Sequence, residues 1–538
     1  MSTLDEKTLY EQTCSFFERD FAYQFEKNLQ RLQEHLERWQ NTVTRRRLAA
    51  TAEQTDQIPL TDYYDYQEMV KFGSTLQDLV QREPKKEDEL LAEYYCRLAK
   101  SIAYIIKDAL PYELSLVVKT TGSTGTSKWV VHGEPFWENF RLDSLAAGIL
   151  ACSERWGETK YKIGDKGLNV VAPVPYLSGW SIKSVIPYFQ PVPPLEVTDN
   201  IQDTRKKFYL ALKVMEKGEK VVVGGANAAT FYMLFRYFTD QTSFFTDLYK
   251  SLDFGVTKLY FLYRVFKSLF KSHKNVNILD VFPLKGAMVG GADTKVYCEF
   301  FKNTFGILPL NIYGSSEAGI AMLGTPDDRL NLTPNLRSGY YEFLNENGEV
   351  VALDEVKKDV VYEMVVTPFG SGLVRYKSGD LFKVVKIRDD GMPIFSCEGR
   401  KNNVIDVYGY FRLTERLIAE ALTQAGLRNS DKWAVIKKST PEEHLHFLME
   451  NDWTLSESEA EKRIFLSLIN LSPEFADYVK IFRIKKPSQI VKVEYLKQGA
   501  FTRYLMRATK LGLPLGQLKA PKIIPMDRAD IFDLLRSV

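Results

Sequence analysis

The sequence predicts an α/β protein with a large first domain, residues 1–398, and a smaller second domain, residues 399–538. Between about residues 110 and 395, short β-rich runs alternate with helical stretches and turn signals, which is typical of a mainly parallel sheet covered by helices. After Gly399 the pattern changes to long amphipathic helices in a compact α+β segment. A chain of 538 residues is also too long for one ordinary core, so at least two domains are expected.

The first segment is predicted to be helical and to pack on the body of the domain. Apolar residues recur along it at steps of three and four, which places them on one face of a helix. This face consists of Phe17, Phe21, Phe25, Leu29, Leu32, Leu36 and Trp39. Its aromatic bulk favours packing against the domain over a coiled coil.

The strands of the predicted sheet are the short β-rich runs that follow. They are Leu116–Val118, Asn169–Val171, Lys220–Val223, Leu308–Ile312, Ala287–Val289 and Val360–Val366. In the second domain, apolar periodicity predicts the helices Glu415–Leu422 and Glu459–Leu471.

The composition gives no general attraction to nucleic acids or membrane surfaces. Lysine plus arginine (71) nearly balance aspartate plus glutamate (69), so any site for an anion must be local. No run approaches the roughly 18 consecutive apolar residues of a membrane span, and the first residues carry no apolar signal core. The five cysteines have neither zinc-site nor disulfide spacing. We expect a cytoplasmic monomer without nucleic-acid or membrane partners.

The most informative motif is a loop rich in hydroxyl groups and glycine that follows the apolar run Leu116–Val118. Glycines let the backbone approach a phosphate, hydroxyls and amides donate hydrogen bonds to it, and a lysine adds positive charge. The loop differs from the standard P-loop pattern. It predicts a phosphate site, although a flexible surface turn is the alternative. The assigned residues are Thr120, Thr121, Gly122, Ser123, Thr124, Gly125 and Lys128.

Two later segments add groups that suit a nucleotide. Tyr313-Gly314-Ser315-Ser316-Glu317 follows a predicted strand and ends in a carboxylate that could hold Mg²⁺, which prefers oxygen ligands and substrate phosphates. Arg375–Asp380 ends in an aspartate on a glycine turn. A carboxylate at this position could accept hydrogen bonds from both hydroxyls of a ribose.

These motifs resemble those of the adenylate-forming superfamily of acyl-ligases. The hydroxyl–glycine loop, the Tyr-Gly-x-x-Glu element, the Tyr-x-x-Gly-Asp element and a boundary at Gly399-Arg400 occur in the order of that superfamily. The resemblance implies ATP and Mg²⁺ as cofactors and an acyl-adenylate as intermediate. It also implies an N-terminal domain of mixed sheets, packed helices and a β-barrel-like part, followed by a smaller mobile C-terminal domain.

A finer resemblance is to the auxin-responsive Gretchen Hagen acyl-acid amido synthetases. It rests on the segments Ile58–Tyr63, Gly339–Phe343, Leu353–Val356, Tyr362–Thr367, Gly372–Tyr376, Gly499–Phe501 and Gly516–Lys522. This resemblance implies that ATP activates a small carboxylic acid with release of pyrophosphate. The acyl group then passes to the amine of an amino acid.

The superfamily resemblance implies roles for individual residues around ATP. Ser315 and Ser316, with Tyr313 and Gly314, would face the α-phosphate, and Glu317 would bind the metal. Asp380 and Arg400 would lie at the ribose. Gly290-Gly291-Ala292 would lie along the adenine. The catalytic residues would be Lys128, Glu317 and Lys519, with Lys492 as the competitor of Lys519 for the cationic role.

The acid is expected to bind in a pocket built from Pro173–Trp180 and Gly224–Tyr232. The candidate pocket residues are His132, Tyr176, Trp180, Phe231 and Tyr232, all of which could equally be core residues. A rotation of the second domain about Asn402 is expected between the two half-reactions.

The second half-reaction stays open in the sequence. Gly409-Tyr410-Phe411-Arg412 is more typical of acyl-coenzyme A ligases, so coenzyme A is an alternative to the amino acid. A third alternative is a non-catalytic sensor of a nucleotide or an acid with the same fold. The intact Lys128, Glu317 and Asp380 argue against such a sensor.

Overall fold

A computed structural model describes the chain in two compact units. Unit 1 comprises Met1–Ser378 and Lys383–Ser396, and unit 2 comprises Gly379–Phe382 and Cys397–Val538. The functions assigned to the two predicted domains, and the boundary between residues 398 and 399, stay predictions. The described residues are 5–52, 54–120, 128–199, 201, 207, 210–211, 220–227, 259, 262–263, 266–267, 284–290, 294–401, 404–407, 411–427, 432–438, 444–450, 455–472, 475–476, 479, 484–509, 521–525 and 529–537.

Unit 1 contains one long and largely buried helix among the helices that the structure describes. In the described residues they are α1 (Glu6–Thr13), α2 (Ser15–Glu18), α3 (Phe21–Trp39), α4 (Val43–Leu48), α5 (Gln67–Arg82), α6 (Leu91–Ser101), α7 (Glu134–Ala151), α8 (Leu177–Ser184), α9 (Leu195–Thr198) and α10 (Cys298–Phe305). Helix α7 is buried continuously from Asp143 to Ala151, because apolar and small residues cover its whole circumference there. It forms the centre of the main core of unit 1.

Helix α3 packs on the domain as predicted, with Phe21, Leu32 and Trp39 of the predicted face buried, but the buried face also includes polar residues. Its buried residues are Phe21, Gln24, Asn28, Leu32, His35 and Trp39. The predicted core residue Leu29 is 43% exposed. Asn28 takes an inner position because its Nδ2 donates hydrogen bonds to the carbonyls of Leu336 (2.6 Å) and Gly339 (2.8 Å). A buried amide N–H group is tolerated when it has acceptors, and apolar periodicity does not reveal such acceptors.

The strands of unit 1 form two large sheets and two hairpins. They are β1 (Leu114–Lys119), β2 (Trp129–Gly133), β3 (Ser153–Arg155), β4 (Glu158–Thr159), β5 (Asp165–Leu168), β6 (Phe189–Val192), β7 (Val221–Asn227), β8 (Leu284–Gly290), β9 (Leu310–Ser315), β10 (Gly319–Leu323), β11 (Thr333–Pro334), β12 (Gly339–Leu344), β13 (Val350–Ala352) and β14 (Val361–Pro368), while β15 (Tyr376–Ile387) and β16 (Pro393–Arg400) continue into unit 2.

The larger sheet has seven strands in the order β11-β10-β9-β8-β7-β5-β6. The strands from β6 to β9 pair in parallel, and β10 and β11 are antiparallel additions at one edge. The predicted α/β core is therefore confirmed. The strand predicted at Asn169–Val171 instead ends at Leu168. At Asn169 the chain leaves the sheet, and its Nδ2 donates to the Thr198 hydroxyl (2.8 Å).

The second sheet has five described strands in the order β13-β12-β14-β15-β16. Arg375 and Glu342 join the start of β15 to β12. The Arg375 Nε and Nη2 donate to the two Glu342 oxygens, each at 2.9 Å. Arg375 and Glu342 belong to two of the segments that carry the family resemblance. Their buried contact gives those segments a structural role.

Unit 2 has its own α+β core, as predicted. Its described elements are β17 (Ile405–Val407), β18 (Phe411–Leu413), α11 (Glu415–Gln424), β19 (Trp433–Lys438), β20 (His444–Glu450), α12 (Glu457–Leu471), β21 (Val491–Leu496), α13 (Ala500–Thr509), β22 (Ile523–Ile524) and α14 (Ala529–Ser537). Four strands form a sheet in the order β21-β20-β19-β22. Helices α11 and α12 contain both predicted helices of this region. None of the helices that the structure describes is long and apolar enough to span a membrane.

Candidate nucleotide-binding site

The hydroxyl–glycine loop connects the two strands of an antiparallel hairpin. Strand β1 leads into it at Lys119, and β2 leads out at Trp129. Thr120 and Lys128 close the base of the loop. The Thr120 N–H donates to the Lys128 carbonyl, and the Lys128 N–H donates to the Thr120 hydroxyl, both at 2.8 Å. The predicted residues Thr121, Gly122, Ser123, Thr124 and Gly125 lie outside the described residues.

The side chain of Lys128 lies against two consecutive tyrosines. Its ammonium is 4.9 Å from the centre of the Tyr63 ring and 5.3 Å from the centre of the Tyr64 ring. Tyr63 is buried and donates a hydrogen bond from its hydroxyl to the Trp129 carbonyl (3.0 Å). Tyr64 is 64% exposed. The ammonium therefore lies over two aromatic faces at the base of the loop.

The Tyr-Gly-Ser-Ser-Glu segment forms the end of β9 and the turn into β10. Gly314 pairs with Ile320, and Ser315 pairs with Gly319. A side chain at Gly314 would meet the Gly319 carbonyl at 2.9 Å, so glycine is needed for this close pairing. The Ser315 hydroxyl accepts a hydrogen bond from the Ala318 N–H (3.1 Å). The tight turn places Ser316 and Glu317 at its tip.

His132 connects the loop hairpin to this turn. It is fully buried on β2, stacks on Phe136 at 3.6 Å, and its Nε2 lies 2.9 Å from the Ser316 carbonyl. A carbonyl can only accept, so Nε2 carries the proton. Burial lowers the pKa of His132 to about 3, and the bond to Ser316 only partly offsets this effect. His132 is therefore neutral at physiological pH, and its assignment to the acid pocket stays a prediction.

Glu317 is half-buried at the tip of the turn between β9 and β10. The Tyr376 hydroxyl donates to its Oε1 at 3.4 Å. Burial raises the pKa of Tyr63 to about 12, and the negative charges of Tyr64 and Glu317 add to the rise. Within unit 1, Glu317 thus contacts Tyr376, and the Tyr376 backbone pairs with Thr61, two residues before the buried tyrosine that contacts Lys128. Within the described ranges no group of three or more His, Cys, Asp or Glu side chains that could hold a metal ion is found.

The predicted ribose residues are paired with each other in unit 2. The Arg400 Nε donates to the Asp380 Oδ1 at 3.0 Å. Next to them on β16, the buried Glu398 accepts a hydrogen bond from the Arg416 Nε at 2.7 Å, which ties the strand to helix α11. The Asp380 carboxylate is therefore bound by the Arg400 guanidinium.

Some of the other residues predicted for the site lie in the part of the chain that the structure describes, and others do not. Gly290 ends β8, where a side chain would meet the Ile312 carbonyl at 2.8 Å. Lys492 lies on β21, opposite His446 of β20. The predicted residues Gly291, Ala292, Phe231, Tyr232, Asn402 and Lys519 lie outside the described residues.

Tyr176 and Trp180 lie at the start of α8 and are both buried. The Trp180 indole N–H donates to the Val117 carbonyl (2.9 Å), and its ring packs edge-on against Trp137 at 5.9 Å. Burial raises the pKa of Tyr176 to about 12. Trp180 belongs to the main core of unit 1, and the acid pocket stays a prediction.

The sequence analysis missed the contacts of Tyr63, Tyr64 and Tyr376 around the candidate site. Tyr63 and Tyr376 belong to segments that carry the family resemblance, but neither had been given a role. The available signal was the pair of adjacent tyrosines in a resembling segment. Their contact with Lys128 joins residues that lie more than 60 positions apart and could not be inferred from spacing.

Comparison with solved structures places the fold among known enzymes. The chain is similar to the AtGH3.15 acyl acid amido synthetase in complex with 2,4-DB, with 18% identity, a TM-score of 0.66, and coverage of 98% of this chain and 95% of that chain. A second GH3.15 acyl acid amido synthetase structure gives 18% identity, a TM-score of 0.63, and coverage of 94% and 92%. An open conformation of 2-hydroxyisobutyryl-CoA ligase gives 13% identity, a TM-score of 0.45, and coverage of 88% and 87%. A search of curated proteins found no significant match.

The fold of the chain is therefore similar to that of the two acyl acid amido synthetase structures. Residues 332–400 match the GH3 family central domain, which includes β12 to β16 and the Asp380–Arg400 pair. The chain therefore contains a GH3 family domain, and the resemblance to the Gretchen Hagen acyl-acid amido synthetases is confirmed.

Proposed function

We propose that this protein is an ATP-dependent acyl-acid amido synthetase. The observation that carries the proposal is the GH3 family central domain at residues 332–400, set in a chain whose fold is similar to acyl acid amido synthetases over nearly its full length. A GH3 domain favours an amide product over a thioester. Coenzyme A therefore remains the second candidate acceptor, and an amino acid is the first.

The reaction has two steps. A carboxylate oxygen of the acid attacks the α-phosphorus of ATP, the bond to the bridging oxygen breaks, and pyrophosphate leaves. The amine of the acceptor then attacks the acyl carbon of the adenylate, AMP leaves, and the nitrogen loses a proton. Both steps need positioning and stabilisation of negative charge more than covalent participation by the protein.

In the first step, Lys128 and the hydroxyl–glycine loop would bind the ATP phosphates. The position of Lys128 at the base of this loop supports its role as a positive charge beside them. Glu317 would hold Mg²⁺, which supplies neutralisation of the phosphate charge when bound. A half-buried carboxylate is an oxygen ligand of the kind that this ion prefers.

In the same step, Asp380 would accept hydrogen bonds from the ribose, with Arg400 beside it. The 3.0 Å contact between them supports a shared location at the sugar. Lys519 would supply a second cation, with Lys492 as its competitor. The acid would occupy a pocket that includes Tyr176 and Trp180.

The test is pyrophosphate release with ATP, Mg²⁺ and a panel of carboxylic acids, each supplied alone, with pooled amino acids, and with coenzyme A. Turnover that rises with amino acids would identify an amido synthetase, and turnover that rises only with coenzyme A would identify a thioester ligase. Silence with every acid would support the non-catalytic sensor.

Two variants test whether pyrophosphate release depends on the candidate nucleotide-binding site. Glu317→Gln removes the proposed metal ligand and should abolish most pyrophosphate release. Glu346→Gln is the matched control, because Glu346 is exposed in the β12–β13 hairpin of the same unit. Equal activity in the two variants would exclude the proposed role of Glu317.

A further inference from the structure

The ammonium of Lys128 is held by aromatic faces and not by a carboxylate. It lies 4.9 Å from the Tyr63 ring centre and 5.3 Å from the Tyr64 ring centre, which is within the range of a cation–π contact. The two rings meet edge to face at 5.6 Å and 79°, so they form a corner around the ammonium. Among the described residues, no carboxylate forms an ion pair with Lys128.

Glu317 is a charged group connected to the same segment, because Tyr376, which contacts it, pairs with Thr61, two residues before Tyr63. Glu317 contributes to the electrostatic environment of Tyr63, and its carboxylate accepts a hydrogen bond from Tyr376. A lysine on a flexible stem would ordinarily be attracted to such a carboxylate. An ion pair between them would occupy both groups that the proposed function needs for phosphate and metal.

The two tyrosines differ in how firmly they are held. The Tyr63 hydroxyl is bound to the Trp129 carbonyl at 3.0 Å, one residue after Lys128. The buried ring therefore keeps a fixed position relative to the base of the loop. Tyr64 covers the ammonium from the solvent side, and it is 64% exposed.

We propose that Tyr63 and Tyr64 form an aromatic cradle that positions the Lys128 ammonium for the ATP phosphates and keeps it from pairing with Glu317. The two tyrosines are positioning residues in this proposal. A cation–π contact at an exposed site is weak enough for phosphate oxygens to replace it. The inference rests on the proposed function, since it assigns Lys128 to phosphate and Glu317 to Mg²⁺.

Tyr64 gives the cleaner test because its exposed ring can be removed without opening the core. Tyr64→Leu should raise the KM for ATP about two- to five-fold, the range of an exposed cation–π contact. It should also raise the Mg²⁺ concentration for half-maximal pyrophosphate release, because Lys128 can then approach Glu317. Tyr64→Phe keeps the ring and should restore both values. Tyr104→Leu is the control, since Tyr104 is 74% exposed and should leave both values unchanged.

Several results would overturn the cradle while leaving the proposed function intact. One such result is that the wild-type enzyme releases pyrophosphate, but Tyr64→Leu has the same KM for ATP and the same Mg²⁺ requirement as Tyr104→Leu. Another is a Tyr64→Phe variant as impaired as Tyr64→Leu, which would assign the effect to the hydroxyl. Calorimetric titration of each variant with Mg²⁺–ATP tests the cradle without turnover, because it measures ATP binding directly. A wild-type protein that neither binds ATP nor releases pyrophosphate would contradict both the cradle and the proposed function.

Discussion

The buried ion pair between Arg337 and Asp143 connects helix α1 to the central helix α7 of unit 1. Asp143 lies on α7, and the Arg337 Nε and Nη2 donate to its Oδ1 at 2.9 and 2.5 Å. The Ser338 hydroxyl bonds the other oxygen, and the Arg337 Nη1 donates to the Thr13 carbonyl at 2.7 Å. All polar partners are therefore satisfied away from water, which is the condition for tolerating a buried charge.

At this scale we predict that Arg337→Met destabilises the protein strongly. The substitution leaves the Asp143 carboxylate buried without its cation, which costs about 3–5 kcal/mol in the free energy of unfolding. Urea unfolding followed by tryptophan fluorescence would measure the loss. The double variant Asp143→Leu/Arg337→Met removes both charges and should recover most of it. A double variant as unstable as Arg337→Met would show that the loss comes from packing.

Two buried histidines hold secondary-structure elements together. His35 of α3 lies at 3.4 Å from both the Gly370 N–H and the Tyr112 hydroxyl through its Nδ1, and His132 of β2 bonds the turn between β9 and β10. Burial lowers the pKa of His35 to about 4 and that of His132 to about 3. Both histidines are therefore neutral in the folded protein over most of the acidic range.

At the scale of these elements we predict a loss of stability between pH 7 and pH 5. An unfolded histidine binds a proton near pH 6.5, whereas these two bind one only near pH 4 and pH 3 when folded. Between those values the unfolded state holds more protons, so the free energy of unfolding decreases as the pH is lowered. At pH 5 each histidine should contribute a loss on the order of 2 kcal/mol.

The measurement compares urea unfolding at pH 7 and pH 5 for the wild type, His35→Gln and His132→Gln. Glutamine does not titrate, and at position 132 its amide can still donate to the Ser316 carbonyl. Each variant should lose about 2 kcal/mol less than the wild type on acidification. A variant that loses as much as the wild type would contradict the assigned pKa.

For the whole molecule, the proposed two-step reaction predicts that Asn402→Pro separates the steps. The resemblance to adenylate-forming enzymes implies a rotation of the second domain about this position, and proline would restrict the backbone there. The variant should retain ATP–pyrophosphate exchange and lose amide formation by about tenfold or more. Exchange and product formation would be measured on the same preparation. Equal retention of both would argue against a hinge at Asn402.

Much of the architecture could be predicted from the sequence. The alternation of β-rich runs and helices predicted the α/β core, and the change after Gly399 predicted a second α+β region. Motif chemistry predicted Lys128 in a loop after the run Leu116–Val118 and Glu317 after a strand, and the structure has both in those positions. These features depend on residues close together in sequence, whose periodicity and turn chemistry act locally.

Other features were decided only by the tertiary structure. Asn28 and His35 took inner positions on α3 where an apolar stripe had placed Leu29, because carbonyls and an N–H group from distant segments supply their hydrogen bonds. His132 meets Ser316, which lies 184 residues away in the chain. The Tyr63–Lys128 contact likewise required the fold.

The sequence by itself thus determined the class of fold and the chemical groups at the candidate site, since both follow from local pattern and residue type. The tertiary structure determined which charges are paired and which are kept apart. That difference depends on distance and on burial between segments far apart in the chain, and these properties decide the strength of an electrostatic contact.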